Sequence, residues 1–220
     1  MNKRLVIFDV DGTLVDSQAH ILAAMTQAFG AMDHPMPQRE AVLGIVGLSL
    51  PIAVARLAPE LPASAHAELV EGYKVAFMSL RTETLSPLYP GAAEVLSLLA
   101  QAPGVVLGIA TGKSRRGMDH IMAGHGWAVR FATVQVSDDH PSKPHPSMIA
   151  ACLRDTGISA ANAVMVGDTT FDMDMARAAG AQGLGVSWGY HPAEHLGANV
   201  IDDFAALPET LSKVWGVALT

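Results

Sequence analysis

The chain reads as an α/β protein, a Rossmann-like parallel sheet core with an inserted helical bundle, on two observations. Short apolar runs alternate with amphipathic helical segments through most of the sequence, as parallel βαβ units do. An interval of about ninety residues separates the first two runs, where a crossover needs only a dozen or so. Something is therefore inserted between them, and the expected division is a core of residues 1–15 and 87–220 with a helical domain over 16–86.

The first strand is Leu5-Val6-Ile7-Phe8, followed at once by Asp9-Val10-Asp11-Gly12-Thr13. Residues two apart in an extended segment point to the same side. Asp9 and Asp11 would therefore repel one another unless a cation, a proton or hydrogen-bond donors lay between them. Gly12 permits a tight turn and leaves peptide N–H groups to face an anion. Taken alone, the same residues also suit an Asp-rich turn that caps the next helix.

Within the insert, helical spacing predicts helices over 18–29, 39–43, 50–57 and 64–80, punctuated by Pro35, Pro37, Pro59 and Pro62. Ser86-Pro87-Leu88-Tyr89-Pro90-Gly91 is a rigid connector back to the core. From there helices over 91–101, 114–124, 146–156 and 170–179 alternate with strands over 105–110, 131–135, 163–166 and 183–186. Pro144-His145-Pro146 stands where proline commonly opens a helix.

Composition narrows the partners. Half of the 220 residues are hydrophobic, 16% are charged and the net charge is -7, which describes a globular protein with no electrostatic attraction for nucleic acid. An anionic ligand would need a local cation, a lysine or helix N-termini. Cys152 is the single cysteine, so no intrachain disulfide forms, and its apolar neighbours place it on a buried helix face. The apolar run after Lys3 and Arg4 ends at Asp9, too short for a signal segment, and the stretch 42–55 is broken by Gly44, Gly47, Ser49 and Pro51. A cytoplasmic protein without a membrane span is the expectation; monomer or homodimer is left undecided.

In open α/β sheets ligands bind beyond the carboxyl ends of the strands. The residues there are Asp9 and Asp11, then Thr111-Gly112-Lys113-Ser114, then Gly167-Asp168-Thr169-Thr170-Phe171-Asp172. Four carboxylates, a hydroxyl and glycine-freed amides on one rim suit a divalent metal and a phosphate. Thr111 and Gly112 open a helix whose first N–H groups can hold an anion, or serve simply as its cap. The Gly112-Lys113-Ser114 run is no P-loop, because that pattern needs glycine where Leu107 stands. Lys143 sits in a stiff turn from which an ammonium can reach the acidic rim. His191-Pro192-Ala193-Glu194-His195 matches a zinc pattern in form only, and a surface helix start is expected there. Lys113, Arg115 and Arg116 are expected to form a solvated helix face, with Lys113 or Arg115 near enough to graze a ligand.

Together, the Asp9 to Thr13 run, Thr111, Lys143 and the Gly167 to Asp172 run resemble the four ordered motifs of the haloacid dehalogenase superfamily of phosphohydrolases, and the match spans the chain. The insert resembles that superfamily's C1 cap. Leu88-Tyr89-Pro90-Gly91 and Val186-Ser187-Trp188-Gly189-Tyr190 are most similar to phosphoglycolate phosphatase-like members. The resemblance implies that Asp9 is the nucleophile, forming an aspartyl phosphate, and that Asp11 is the general acid and base. It implies Mg²⁺ held by the Asp9 carboxylate, the Asp11 carbonyl and the Asp168 carboxylate, with Asp172 orienting a metal-bound water or Lys143. Thr111, Gly112, Gly12 and Lys143 are then the phosphate-binding groups. The second aspartate argues against dehalogenation.

The implied substrate is a small phosphorylated metabolite. Val46-Gly47-Leu48-Ser49 resembles the cap loop that dips toward the active site, and its apolar character offers little grip on the carboxylate of phosphoglycolate. Arg39, Arg56, Lys74 and Arg81 are expected mainly at the helix surface. The alternatives are a phosphomutase of the same fold, against which Thr13 leans, and a non-catalytic phosphate sensor.

Overall fold

The computed structural model describes residues 3–127 and 130–217. Six parallel strands form one sheet: β1 (Arg4–Phe8), β2 (Val105–Thr111), β3 (Thr133–Val136), β4 (Ala163–Gly167), β5 (Gln182–Val186) and β6 (Val200–Ile201), in the spatial order β3-β2-β1-β4-β5-β6. The chain leaves β1 toward β2 and β3, then crosses back to lay β4 on the other side. The order therefore reverses between β1 and β4, and a crevice opens beyond their carboxyl ends.

The helices are α1 (Gln18–Ala31), α2 (Arg39–Leu43), α3 (Leu50–Leu57), α4 (Ala63–Glu83), α5 (Ala92–Gln101), α6 (Arg115–Gly124), α7 (Ser147–Thr156), α8 (Thr170–Ala178) and α9 (Leu207–Trp215). In β1, Val6 and Phe8 face one way and pack with Leu96 and Leu99 of α5, Met118 and Ile121 of α6 and Leu211 of α9. Leu5 and Ile7 face the other and pack with Ile149 and Cys152 of α7 and Met175 of α8. Such burial on both faces explains why these strands are continuous apolar runs. Each large side chain buried this way contributes roughly 1.5–3 kcal/mol.

The helical insert has a core of its own. Ile21, Met25, Ala28 and Phe29 of α1 form one stripe at helical spacing, packed with Leu69 and Val70 of α4 and Val54 of α3. Helices 39–43 and 50–57 have the bounds their spacing predicts, while α4 starts one residue earlier and runs three residues further at its far end, to Glu83.

Three features differ from, or add to, what the sequence predicts. β3 begins at Thr133 rather than residue 131, because its ladder with β2 starts at Gly108 opposite Thr133. β6 has only two residues and is held by pairing with Gly185 and Val186. Residues 193–195 form a single 3-10 turn rather than a helix start. Among the described residues, no helix is long and apolar enough to cross a membrane.

Candidate active site

The register of β1 between β2 and β4 brings Phe8 beside Ile109 and Val166, so the next residues of three strands emerge together. Asp9, Asp168 and Asp172 converge, with one carboxylate oxygen from each lying within 4.8 Å of the others. All three are buried. Asp168 is tied down at both oxygens: the Thr13 hydroxyl donates to Oδ1 at 2.8 Å and the Tyr190 N–H to Oδ2 at 2.9 Å. A side chain on Gly12, whose φ is +83°, would run into the Asp168 carboxylate, so this close approach requires glycine.

Asp172 serves two structures at once. It is the third residue of α8 and closes a reciprocal cap: its carboxylate accepts from the Thr169 N–H at 3.1 Å and hydroxyl at 2.7 Å, while Thr169 Oγ1 accepts from the Asp172 N–H. Its other oxygen accepts from Lys143 Nζ at 2.7 Å. Lys143 is likewise 2% exposed and lies 3.0 Å from Asp9 Oδ1. Burial alone would push its ammonium down, but the charges of Asp172 and Asp9 outweigh that and hold it above the ordinary lysine range.

Asp9 is the unsatisfied member. Neither carboxylate oxygen has a hydrogen-bond donor, and the Lys143 contact is an ion pair without hydrogen-bond alignment. Burial pushes its carboxyl up to about 7; Lys143 opposes this, and Asp172 and Asp11 add to it. Asp168 is held well above the usual carboxylate range by burial and by Asp172 and Asp9. A crowd of buried oxygen donors, one of them with both oxygens bare, fits a hard divalent cation.

Asp11 stands apart from that cluster. Its carboxylate accepts from the Ser17 hydroxyl and pairs with Lys113 Nζ at 2.8 Å. Lys113 is therefore not on a solvated face: its side chain is 8% exposed and its ammonium also lies 5.2 Å from the centre of the Phe77 ring on α4. Thr111 is buried, and its hydroxyl accepts from the Lys113 N–H at 3.2 Å, which bends the loop into α6. Ser114 caps that helix by accepting from the Gly117 N–H.

A cavity of about 510 Å³ lies over these groups, floored by Asp9, Asp11, Thr111, Gly112 and Lys113. Its roof is the helical insert: Ile21, Met25, Leu48, Tyr73, Phe77 and Met78. Val46, Gly47 and Leu48 line it, and the Gly47 carbonyl lies so close to Gly112 that a Cβ there would collide with it. The Ser49 N–H donates to Ser142 Oγ at 2.9 Å. His191 joins the units again: Nδ1 accepts from the Thr170 N–H at 3.1 Å, so Nε2 carries the proton and donates to the Gly44 carbonyl at 3.1 Å. Of the four insert cations, Arg81 and Lys74 line the cavity. Arg56 stacks on Phe171 at 5.5 Å, and Arg39 lines a separate groove.

Ser17, Thr13 and the Tyr190 amide carry no expectation of these contacts, while Lys113, expected on a solvated face but near enough to graze a ligand, lines the cavity and pairs with Asp11. Only Lys113 left a readable signal, since an acid as enclosed as Asp11 calls for a cation and Lys113 adjoins the Thr111-Gly112 loop.

The model of the family described as haloacid dehalogenase-like hydrolase matches residues 6–186. The chain belongs to that family. Among relatives of this haloacid dehalogenase-like hydrolase, "Probable phosphatase IndB" of Dickeya dadantii is 34% identical, covering 98% of this chain and 94% of its own. A phosphoglycolate phosphatase of Vibrio cholerae is 32% identical, covering 92% of each. A hydrolase from Pseudomonas syringae shares the fold at a TM-score of 0.84 and 24% identity, over 96% of this chain and 99% of that one.

Proposed function

We propose that this hydrolase is a Mg²⁺-dependent phosphatase of small phosphate monoesters that works through an aspartyl phosphate on Asp9. The observation that carries the reading is Asp9 itself, buried beneath the cavity with both oxygens free of hydrogen bonds and an ammonium 3.0 Å away. The similarity to a phosphatase and to phosphoglycolate phosphatases supports the same class. Residues 16–86 act as the cap that selects the leaving group.

In the first displacement a carboxylate oxygen of Asp9 attacks phosphorus in line. The new O–P bond forms as the bond to the leaving oxygen breaks, and Asp11 hands that oxygen a proton. In the second, Asp11 takes a proton from water as the water oxygen attacks phosphorus, and the electron pair returns to Asp9 with release of inorganic phosphate. Ser17 and Lys113 hold the Asp11 carboxylate in place. Thr111, the Gly112 amide and Lys143 bind the phosphoryl oxygens, and Asp172 aims Lys143; the Gly12 N–H, expected to face the phosphate, instead donates to the Val15 carbonyl at 3.0 Å and closes the turn after β1. The carboxylates of Asp9 and Asp168 and the carbonyl of Asp11 would hold Mg²⁺, which when bound offsets negative charge on the phosphoryl group.

The test is phosphate release from a panel of small phosphate esters, with Mg²⁺ and with chelator. Asp9→Asn keeps the shape and deletes the nucleophile, so it is expected to fold and lose essentially all turnover. Undiminished turnover in Asp9→Asn, or in chelator, refutes the proposal.

A further inference from the structure

Along the roof of the cavity, Tyr73, Phe77 and Arg81 succeed one another at single turns of α4, on one face and about 6 Å apart. Each lies against a different part of the floor. Burial, with the charge of Asp11 adding to it, pushes the Tyr73 hydroxyl well above the usual phenol range. Phe77 lies over Lys113. Arg81 Nη1 donates to the Arg116 carbonyl at 3.3 Å. The cavity therefore runs from the acids, past an aromatic stretch, to two arginines.

Those arginines lack a counter-charge. Among the described residues, no carboxylate lies within 4.0 Å of either guanidinium, and of the unpaired arginines these two line the cavity. Arg81 Nε is buried without a hydrogen-bond partner. Burial and the charge of Arg116 both push the Arg81 guanidinium down, and the neighbouring His120 is pushed down by burial and by Arg81. Like charges gathered on a cavity wall, Arg81 part-buried and Arg116 exposed, are stabilised by an anion.

We infer that the substrate's leaving group carries a second anionic group, a carboxylate or a phosphate, which Arg81 and Arg116 bind across an apolar spacer. This deepens the phosphatase reading and rests on it. The spacer is longer than that of a two-carbon acid, because two turns of α4 separate Tyr73 from Arg81 and the cavity of about 510 Å³ falls in the range of about 300–1,000 Å³ that houses far larger ligands. The aromatic pair Tyr73 and Phe77, with ring centres 5.5 Å apart, supplies the surface it lies on.

The experiment compares kcat/KM for the phosphate ester of hydroxyhexanoate with that of its uncharged methyl ester, and with phosphoglycolate, in wild type, Arg81→Met, Arg116→Met and Arg81→Lys. Wild type is expected to prefer the long acid to both. The acid-to-ester ratio is expected to fall about tenfold in either Met variant, through KM, and to be largely restored in Arg81→Lys. Arg116 is exposed, so its variant serves even if Arg81→Met folds poorly. Equal treatment of acid and ester by wild type, or a ratio unmoved in both Met variants, overturns the anion site while leaving the phosphatase reading intact. Absence of phosphate release from every ester and from a generic aryl phosphate overturns both.

Discussion

Replacing Lys143 with methionine should be among the most damaging single changes in this protein. The ammonium lies 2.7 Å from Asp172 and 3.0 Å from Asp9, all three groups being buried. At an effective dielectric constant of about 20, each contact is worth about 6 kcal/mol of attraction. Returning the ammonium to water recovers several kcal/mol of solvation, and methionine fills most of the volume with apolar contacts. What remains is two carboxylates without a counter-charge, for which about 3–5 kcal/mol of lost stability is expected. The sign of the pH dependence follows from Asp9, which burial already pushes up to about 7. Without the ammonium it rises further, so the folded variant binds more protons than the unfolded chain and gains stability as pH falls. Urea unfolding in chelator, at about pH 8 and about pH 5.5, should therefore show a large deficit at the higher pH and a smaller one at the lower. Adding Asp172→Asn to Lys143→Met should cost less than the sum of the single changes. A loss below about 1 kcal/mol with no pH trend would refute this account of what holds the acids together.

Two further outcomes follow from the same geometry. Thr13→Val removes the donor 2.8 Å from Asp168 Oδ1 at nearly constant volume; it should weaken Mg²⁺ binding or turnover about 10–100-fold, measured by Mg²⁺ titration of activity. Cys152 is buried and its thiol is pushed up to about 12, chiefly by burial, so a thiol reagent at neutral pH should label it only on unfolding; stoichiometric labelling of the native protein would contradict that.

What could be read from the chain was what depends on local pattern. The strands of the sheet core are buried on both faces and therefore announce themselves as apolar runs, and the acids that follow them are conspicuous because they interrupt those runs. Helices 39–43 and 50–57 are framed by glycine, serine and proline. β6 has no local signature, since two residues cannot alternate, and only its neighbour Gly185 determines that Val200 pairs. α9 does carry one, with Leu207, Leu211 and Val214 at helical spacing against the core. The enclosure of Lys113 is not legible locally, because it depends on where α4 sets Phe77, some thirty-six residues earlier in the chain. The Tyr190 amide is a backbone donor and has no side-chain signature at all; its role arises from a turn that packs Gly189 against Asp168.

That turn has a bearing on how the molecule is made. Trp188 Nε1 donates to the Thr13 carbonyl at 3.1 Å, and Tyr190 holds an acid that follows β4. These stitches to the turn after β1 and to Asp168 thus come from residues synthesised about 180 positions after β1, on the order of ten to forty seconds at ~5–20 residues per second. Until then the emerging chain carries Asp9 without these later contacts, and the long loops that bring the segments together must close before the acids are crowded. Contacts that complete the acidic cluster are thus supplied from near the far end of the chain, so the cluster closes only once most of the sequence is made.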